Sequence, residues 1–271
     1  MPVRAEKAVI EPRKGRGEEA LPPLALLVFT PQDIDCFKRS FPAREKHPAR
    51  MFLAEVHTVA APGIEFAMAG PMLGAPQAVL VLEKLVALGV RYVLALGWCG
   101  SLQPHLRIGD VVLPEKAISE EGTSLHYPLE DGASGPREGF LDLLGNGFEQ
   151  AACTCFRGTV WSTDAPYRET VSKVLAYREQ KVLAVDMETS ALFAVSAFRN
   201  IDLAVALVVS DELSTLQWRH GFRDEAFQET REKLPFVVQA VGPLVPSCLG
   251  GHLSPARIAS RAGESDADRK G

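Results

Sequence analysis

Apolar residues run along the chain in two rhythms. Residues 24–29, LALLVF, form a continuous apolar run of strand length that stops at Pro31, as expected of a central strand buried on both faces. Further strands are predicted at 52–60, 64–69, 90–96, 110–114, 153–161, 182–185 and 204–210. Helical periodicity is predicted at 75–88, 170–177, 187–198 and 222–238. The 75–88 helix ends at Gly89 and hands directly to a strand, which is the crossover of a parallel sheet. The predicted class is α/β: one domain with a central mixed, mostly parallel twisted sheet flanked by helices. Residues 1–23 and 250–271 lack this periodicity and are expected to be extensions of the 24–249 domain, lying outside its core or packed loosely on it, the second a flexible tail.

The length of 271 residues, with 46% hydrophobic residues, suits one large core. A formal charge of -5 without a long basic block disfavours a nucleic-acid partner. No apolar stretch reaches the roughly 18 residues that a membrane span needs, and the first residues carry acids and prolines where a signal peptide is apolar. A soluble cytoplasmic chain is the expectation. The five cysteines are too sparse to staple the chain, and the Cys153 and Cys155 pair inside a predicted strand reads as core rather than as a metal site. No metal or redox cofactor is expected.

The informative polar residues stand where strands end, the edge along which open α/β sheets form ligand crevices. In 96–110, LGWCGSLQPHLRIGD, Gly97 and Gly100 permit either close approach to an anion or sugar or an ordinary tight turn. Neither G-x-G-x-x-G nor G-x-x-x-x-G-K-[ST] occurs there. In 182–192, VLAVDMETSAL, Asp186 is either a helix cap or one of the acids, with Glu188, that bind vicinal hydroxyls beside Met187. In 203–213, LAVALVVSDEL, Asp211 ends an apolar strand as a turn residue or as a catalytic acid.

Five segments in order, GWCGSLQPHLRIGDVVLP, EEGTSLHYP, WSTDAPYRET, VDMETSAL and VVSDEL, make the chain resemble the purine nucleoside/uridine phosphorylase family. That family includes the methylthioadenosine/adenosylhomocysteine nucleosidases, and the resemblance covers roughly 24–240. It implies a glycosyltransferase that cleaves the N-glycosidic bond of a nucleoside, with phosphate as co-substrate. Met187 and Glu188 are the implied ribose contacts, with Asp186 preceding them. Asp211 is the implied partner of N7 of a purine leaving group. Base contacts are implied for 162–167, hence Thr163, Pro166 and Tyr167, with Trp161 as a further candidate for stacking.

The anion loop is implied at Gly97, Trp98 and Gly100, and here the chain departs from the family. An Arg and a Ser or Thr of the phosphorylases are replaced by Ala95 and Trp98, and the loop after the first strand reads FTPQDIDCFKR. Lys38, Arg39, Arg44 and Arg50 are candidate substitutes for the lost cation. Asp33 lies near the carboxylate with which nucleosidases hold the attacking water, and is equally a turn residue after Pro31. Hydrolysis and a non-catalytic nucleoside-binding protein are therefore the alternatives. His126 and His220 are possible site-lining residues without assigned chemistry. The resemblance also implies a homodimer or a trimer of dimers.

Overall fold

The structure, a computed structural model, describes residues 8–42, 49–127 and 135–249. Arg44 and the 250–271 tail lie outside the described residues. The first apolar run is β1 (Leu24–Val28), buried at every position. It is flanked by two parallel partners, β4 (Ile64–Gly70) and β5 (Tyr92–Ser101). Outward from β4 the sheet continues antiparallel through β3 (Ala54–Ala61) to β2 (Ala49–Met51).

On its other side β5 pairs in parallel with β9 (Asp202–Glu212) over almost its whole length. The ladder then passes through β6 (Val111–Glu120) and β7 (Cys155–Thr163) to β8 (Ala184–Asp186). β8 returns to β5 as an antiparallel partner, so strands β5, β9, β6, β7 and β8 close on themselves. β10 (Arg219–His220) hangs on the end of β9 as a hairpin partner. The sheet is mixed as expected, with its long central ladders parallel and its outer strands antiparallel.

The helices fall into two packed groups. α2 (Ala75–Ala87) lies on α5 (Thr189–Arg199), while α1 (Pro31–Ser40), α3 (Glu138–Gln150) and α7 (Val245–Leu249) gather around α6 (Glu225–Val241). α4 (Val171–Glu179) follows β7 through a short turn.

Several predicted elements needed correction. The stretch after β1, which the apolar pattern leaves as a loop, is the helix α1, and Pro31 ends the strand without ending regular structure. It is a helix-starting proline, with the Thr30 hydroxyl accepting the Asp33 N–H at 3.2 Å. α3 is hidden in the sequence by Gly145 and Gly147, and at Gly147 a side-chain carbon would stand 2.5 Å from Val241, so glycine is what lets α3 approach α6. α5 starts at Thr189 rather than at 187, leaving Asp186, Met187 and Glu188 on the step between strand and helix.

The stretch 8–23 lies along the domain. Arg199 pairs with Glu11 at 3.3 Å, Lys84 pairs with Glu18, and the Leu21 N–H donates to Leu88 O at 2.9 Å. No described helix is long and apolar enough to cross a membrane.

Candidate functional site

The site is organised around Gly100. β5 bulges between Cys99 and Gly100, and Gly100 is then the register partner of both Val185 on β8 and Asp211 on β9. A side-chain carbon at position 100 would lie 2.9 Å from Asp211 Oδ2 and 2.5 Å from the Leu213 side chain. Glycine is required there because the two carboxylate-bearing strand ends close over the backbone. Cys99, buried beside them, has its thiol pushed well above its usual range by burial and by the charges of Asp211 and Asp186.

Asp186 is the cap of α5. Its Oδ1 accepts from Ser162 Oγ at 2.5 Å, and its Oδ2 accepts from Thr189 Oγ1 at 2.6 Å, Thr189 N–H at 2.8 Å and Glu188 N–H at 3.2 Å. With its acceptor capacity taken and only 5% exposure, Asp186 is placed to fix the strand-to-helix step rather than to meet a sugar. Ser162 Oγ also accepts the Ser190 N–H at 3.0 Å, and Ser190 Oγ donates to Glu121 at 2.9 Å. These bonds tie β7, the 120–127 loop and the start of α5 into one frame.

That frame holds Glu188. Its Oε1 accepts the Gly74 N–H at 2.7 Å, and Gly74 has φ 79° as the residue before α2. The left-handed backbone at Gly74 and the positive end of α2 were not recognised in the sequence. Burial first, and then the charge of Asp186, push Glu188 up to about 8. Met187 beside it is half-buried.

Asp211 is held at both oxygens: Oδ1 accepts from Ser210 Oγ at 2.7 Å and Oδ2 accepts from the Trp218 indole N–H at 2.9 Å. Glu169, which follows the exposed 166–168 turn, is pushed up to about 7 by burial and then by the charge of Asp211. Glu169 and Trp218 were also absent from the sequence reading. An acid in a loop and a tryptophan in a polar stretch carry no periodic signal.

The implied base contacts do not assemble. Trp161 is fully buried at the root of α4, its ring 4.7 Å from that of Tyr177 and packed with Leu102, Val174 and Val182. Its burial makes it a core residue and corrects its place as a stacking candidate. Tyr167 is 98% exposed and Pro166 is exposed beside it, so neither covers a base within this chain. Thr163 is buried and its hydroxyl accepts the Ala165 N–H at 3.2 Å. His126 is exposed on the short turn 124–126.

The expected anion corner is filled by the protein itself. Trp98, on β5, donates its indole N–H to Asp33 Oδ2 at 2.7 Å, and the Thr30 hydroxyl lies 2.9 Å from the same oxygen. Asp33 Oδ1 accepts from Arg231 Nε at 2.6 Å. Arg231 stacks on Trp98 and Phe227 at 5.1 and 5.5 Å and donates from Nη1 to Gln228 at 2.7 Å. Asp33 is 1% exposed and both its oxygens are engaged, which corrects its expected role as a holder of water. Trp98 is corrected likewise: its polar atom faces Asp33 and not an open anion site.

Arg231 is the cation missed in the sequence, where one arginine in a polar helix reads as solvated surface. Lys38 pairs instead with Glu55 at 3.2 Å. Arg50 lines a separate cleft of about 560 Å³ between residues 17–21 and β2, which contains none of the expected site residues.

A family model described as "Phosphorylase superfamily" matches residues 23–241. The guanosine phosphorylase of Halorubrum lacusprofundi is 28% identical over 151 residues, 56% of this chain and 63% of that protein. A DeoD-type purine nucleoside phosphorylase of Bacillus cereus is 28% identical over 190 residues, covering 64% of this chain and 80% of that one. An uncharacterised mimivirus protein, R802, is 29% identical over 149 residues, 55% of this chain and 58% of its own length. The match thus spans about three fifths of the mimiviral and haloarchaeal relatives. The solved uridine phosphorylase of Vibrio fischeri shares the fold, with a TM-score of 0.73 at 21% identity over 83% of this chain and 92% of that one. With 23–241 matched and the five-strand closure around Gly100 in place, the chain belongs to the phosphorylase superfamily.

Proposed function

We propose that the chain is an enzyme that cleaves the N-glycosidic bond of a purine nucleoside. The observation that carries this reading is the meeting of two strands at Gly100: β8, which leads through Asp186 into the step that bears Glu188, and β9, which bears Asp211. Breaking the bond between C1′ and the base nitrogen leaves positive charge on the sugar and negative charge on the base. Glu188, aimed by Gly74 and Asp186, accepts hydrogen bonds from the ribose 2′ and 3′ hydroxyls, with Met187 against the sugar. Asp211 meets the purine at N7 and passes a carboxyl proton to it, so that the base leaves neutral as the bond to C1′ breaks. The relatives named as guanosine and purine nucleoside phosphorylases support a purine substrate.

Two acceptors divide the reading. Phosphate is supported by the names of those relatives. Water is favoured by a specific observation: Asp33 already occupies the corner beside Trp98 and neutralises Arg231. A bound anion needs charge-assisted donors, and among the described residues Glu188, Glu169 and Asp211 are acids. An oxocarbenium-like sugar is electrophilic enough for neutral water to capture it. The resemblance to a family of dimers and hexamers supports a homo-oligomer, checked by sedimentation.

The test is release of free base from adenosine, guanosine, inosine and methylthioadenosine, in phosphate-free buffer and again with millimolar phosphate. Release without phosphate supports hydrolysis, and release only with phosphate supports phosphorolysis. Absence of release from every nucleoside overturns the enzymatic reading and leaves a nucleoside-binding protein.

A further inference from the structure

Trp218 is the most exposed of the three tryptophans, at 64%, while Trp161 is fully covered and Trp98 half-buried. An uncovered indole costs apolar hydration unless something lies on it. Its one polar atom is nevertheless committed, 2.9 Å from Asp211 Oδ2. Around it stands an aromatic row: His220 at 5.3 Å, Phe222 at 6.4 Å, then Trp98 at 5.9 Å from Phe222 and Phe227 at 5.0 Å from Trp98. The row runs from Asp211 to the Asp33 corner, on the side where Pro166 and Tyr167 provide no wall.

The hairpin that carries Trp218 is pinned at its base. Arg219 donates to Glu212 at 3.0 Å and to Asp224 at 2.7 Å, Arg178 donates to Ser214 O at 2.7 Å, and the Gly221 N–H donates to Ser210 O at 2.8 Å. At Gly221 any side-chain carbon would lie 2.4 Å from Ile108, so this end of the hairpin sits directly on the loop after β5. The indole is therefore presented from a fixed base.

We propose that Trp218 is a substrate-contacting and positioning residue: its ring face covers the purine, and its N–H holds Asp211 toward the base. This rests on the reading of Asp211 as the group that meets the purine. A base within hydrogen-bond reach of Asp211 lies within a few Å of an indole bonded to the same carboxylate. The aromatic wall for the base thus comes from the hairpin after β9, and not from the segment after β7. The titratable groups that face Asp211 are Glu169 before α4, Cys99 on β5 and His220 across the hairpin.

The experiment compares Trp218→Phe, which keeps an aromatic face and loses the N–H, with Trp218→Ala, which loses both. Because Trp218 is exposed, both variants are expected to fold. Trp218→Phe is expected to leave KM within about threefold and to lower kcat about tenfold. Trp218→Ala is expected to raise KM about tenfold as well, from lost stacking. Unchanged kcat in Trp218→Phe, or unchanged KM in Trp218→Ala, overturns the proposal.

A second readout keeps the proposal separate from the enzymatic reading. Titration with free adenine, guanine or hypoxanthine is expected to quench the indole emission of the wild type and not that of Trp218→Phe. Quenching without turnover sinks the enzymatic reading and leaves the base contact standing. Quenching that persists in Trp218→Phe, or its absence from the wild type, sinks the base contact.

Discussion

Glu188 and Asp33 show how differently two buried acids are treated. Burial, and after it the charge of Asp186, outweigh the Gly74 N–H and push Glu188 up to about 8. The folded state therefore binds more protons than the unfolded chain between the ordinary carboxylate range and pH 8. Stability is expected to fall as pH rises through that window, with Asp186 and Glu169 shifted in the same sense. Glu188→Gln should flatten the slope in urea unfolding at pH 5, 7 and 9, and lower kcat/KM by about a hundredfold through loss of the ribose contact. Asp33 is instead matched by Arg231. Arg231→Met leaves a buried carboxylate uncompensated, at an expected cost of about 3–5 kcal/mol in chemical denaturation. Adding Asp33→Asn to that variant should recover most of the loss. Asp211 and Glu188 were legible in the sequence because they interrupt apolar strand ends. Arg231 was not legible, because its partner is 198 residues away and local spacing says nothing of it.

Among the elements, the strands of the closed ring were read at their apolar centres and cut short at their polar ends. β5 continues to Ser101, β6 to Glu120, β7 to Thr163 and β9 to Glu212. Those polar ends lead into the candidate site residues, and they begin where the hydrophobic pattern stops. The turn after β7 shows the limit of such reading: a segment of the right motif carries Tyr167 into solvent. Nothing in WSTDAPYRET distinguishes an inward from an outward ring. The bulge in β5 gives an element-scale expectation. Gly100→Ala places a methyl against Leu213 and Asp211, and is expected to cost about 1–3 kcal/mol of stability by overpacking. Because the displaced group is Asp211, base release should fall further than the midpoint of urea unfolding implies. Parallel measurement of the two quantities checks this.

Across the whole molecule, the stretch 8–23 joins helices α2 and α5 through pairs that are partly exposed, Glu11 with Arg199 and Glu18 with Lys84. Such pairs contribute about 0–1 kcal/mol each. Removal of residues 1–20 is expected to lower Tm by only a few degrees and to leave kcat/KM unchanged, measured by thermal unfolding and base release. The bond from Asp33 to Arg231 has a different consequence, one of timing. At a synthesis rate of about 5–20 residues per second, Asp33 precedes its arginine by about 10–40 s on the ribosome. During that interval β1 and α1 exist without the helix that neutralises their carboxylate, and β5 exists without β9. The corner beside Trp98 then closes only once α6 is made, and until that point an emerging chain presents it unpaired and acidic.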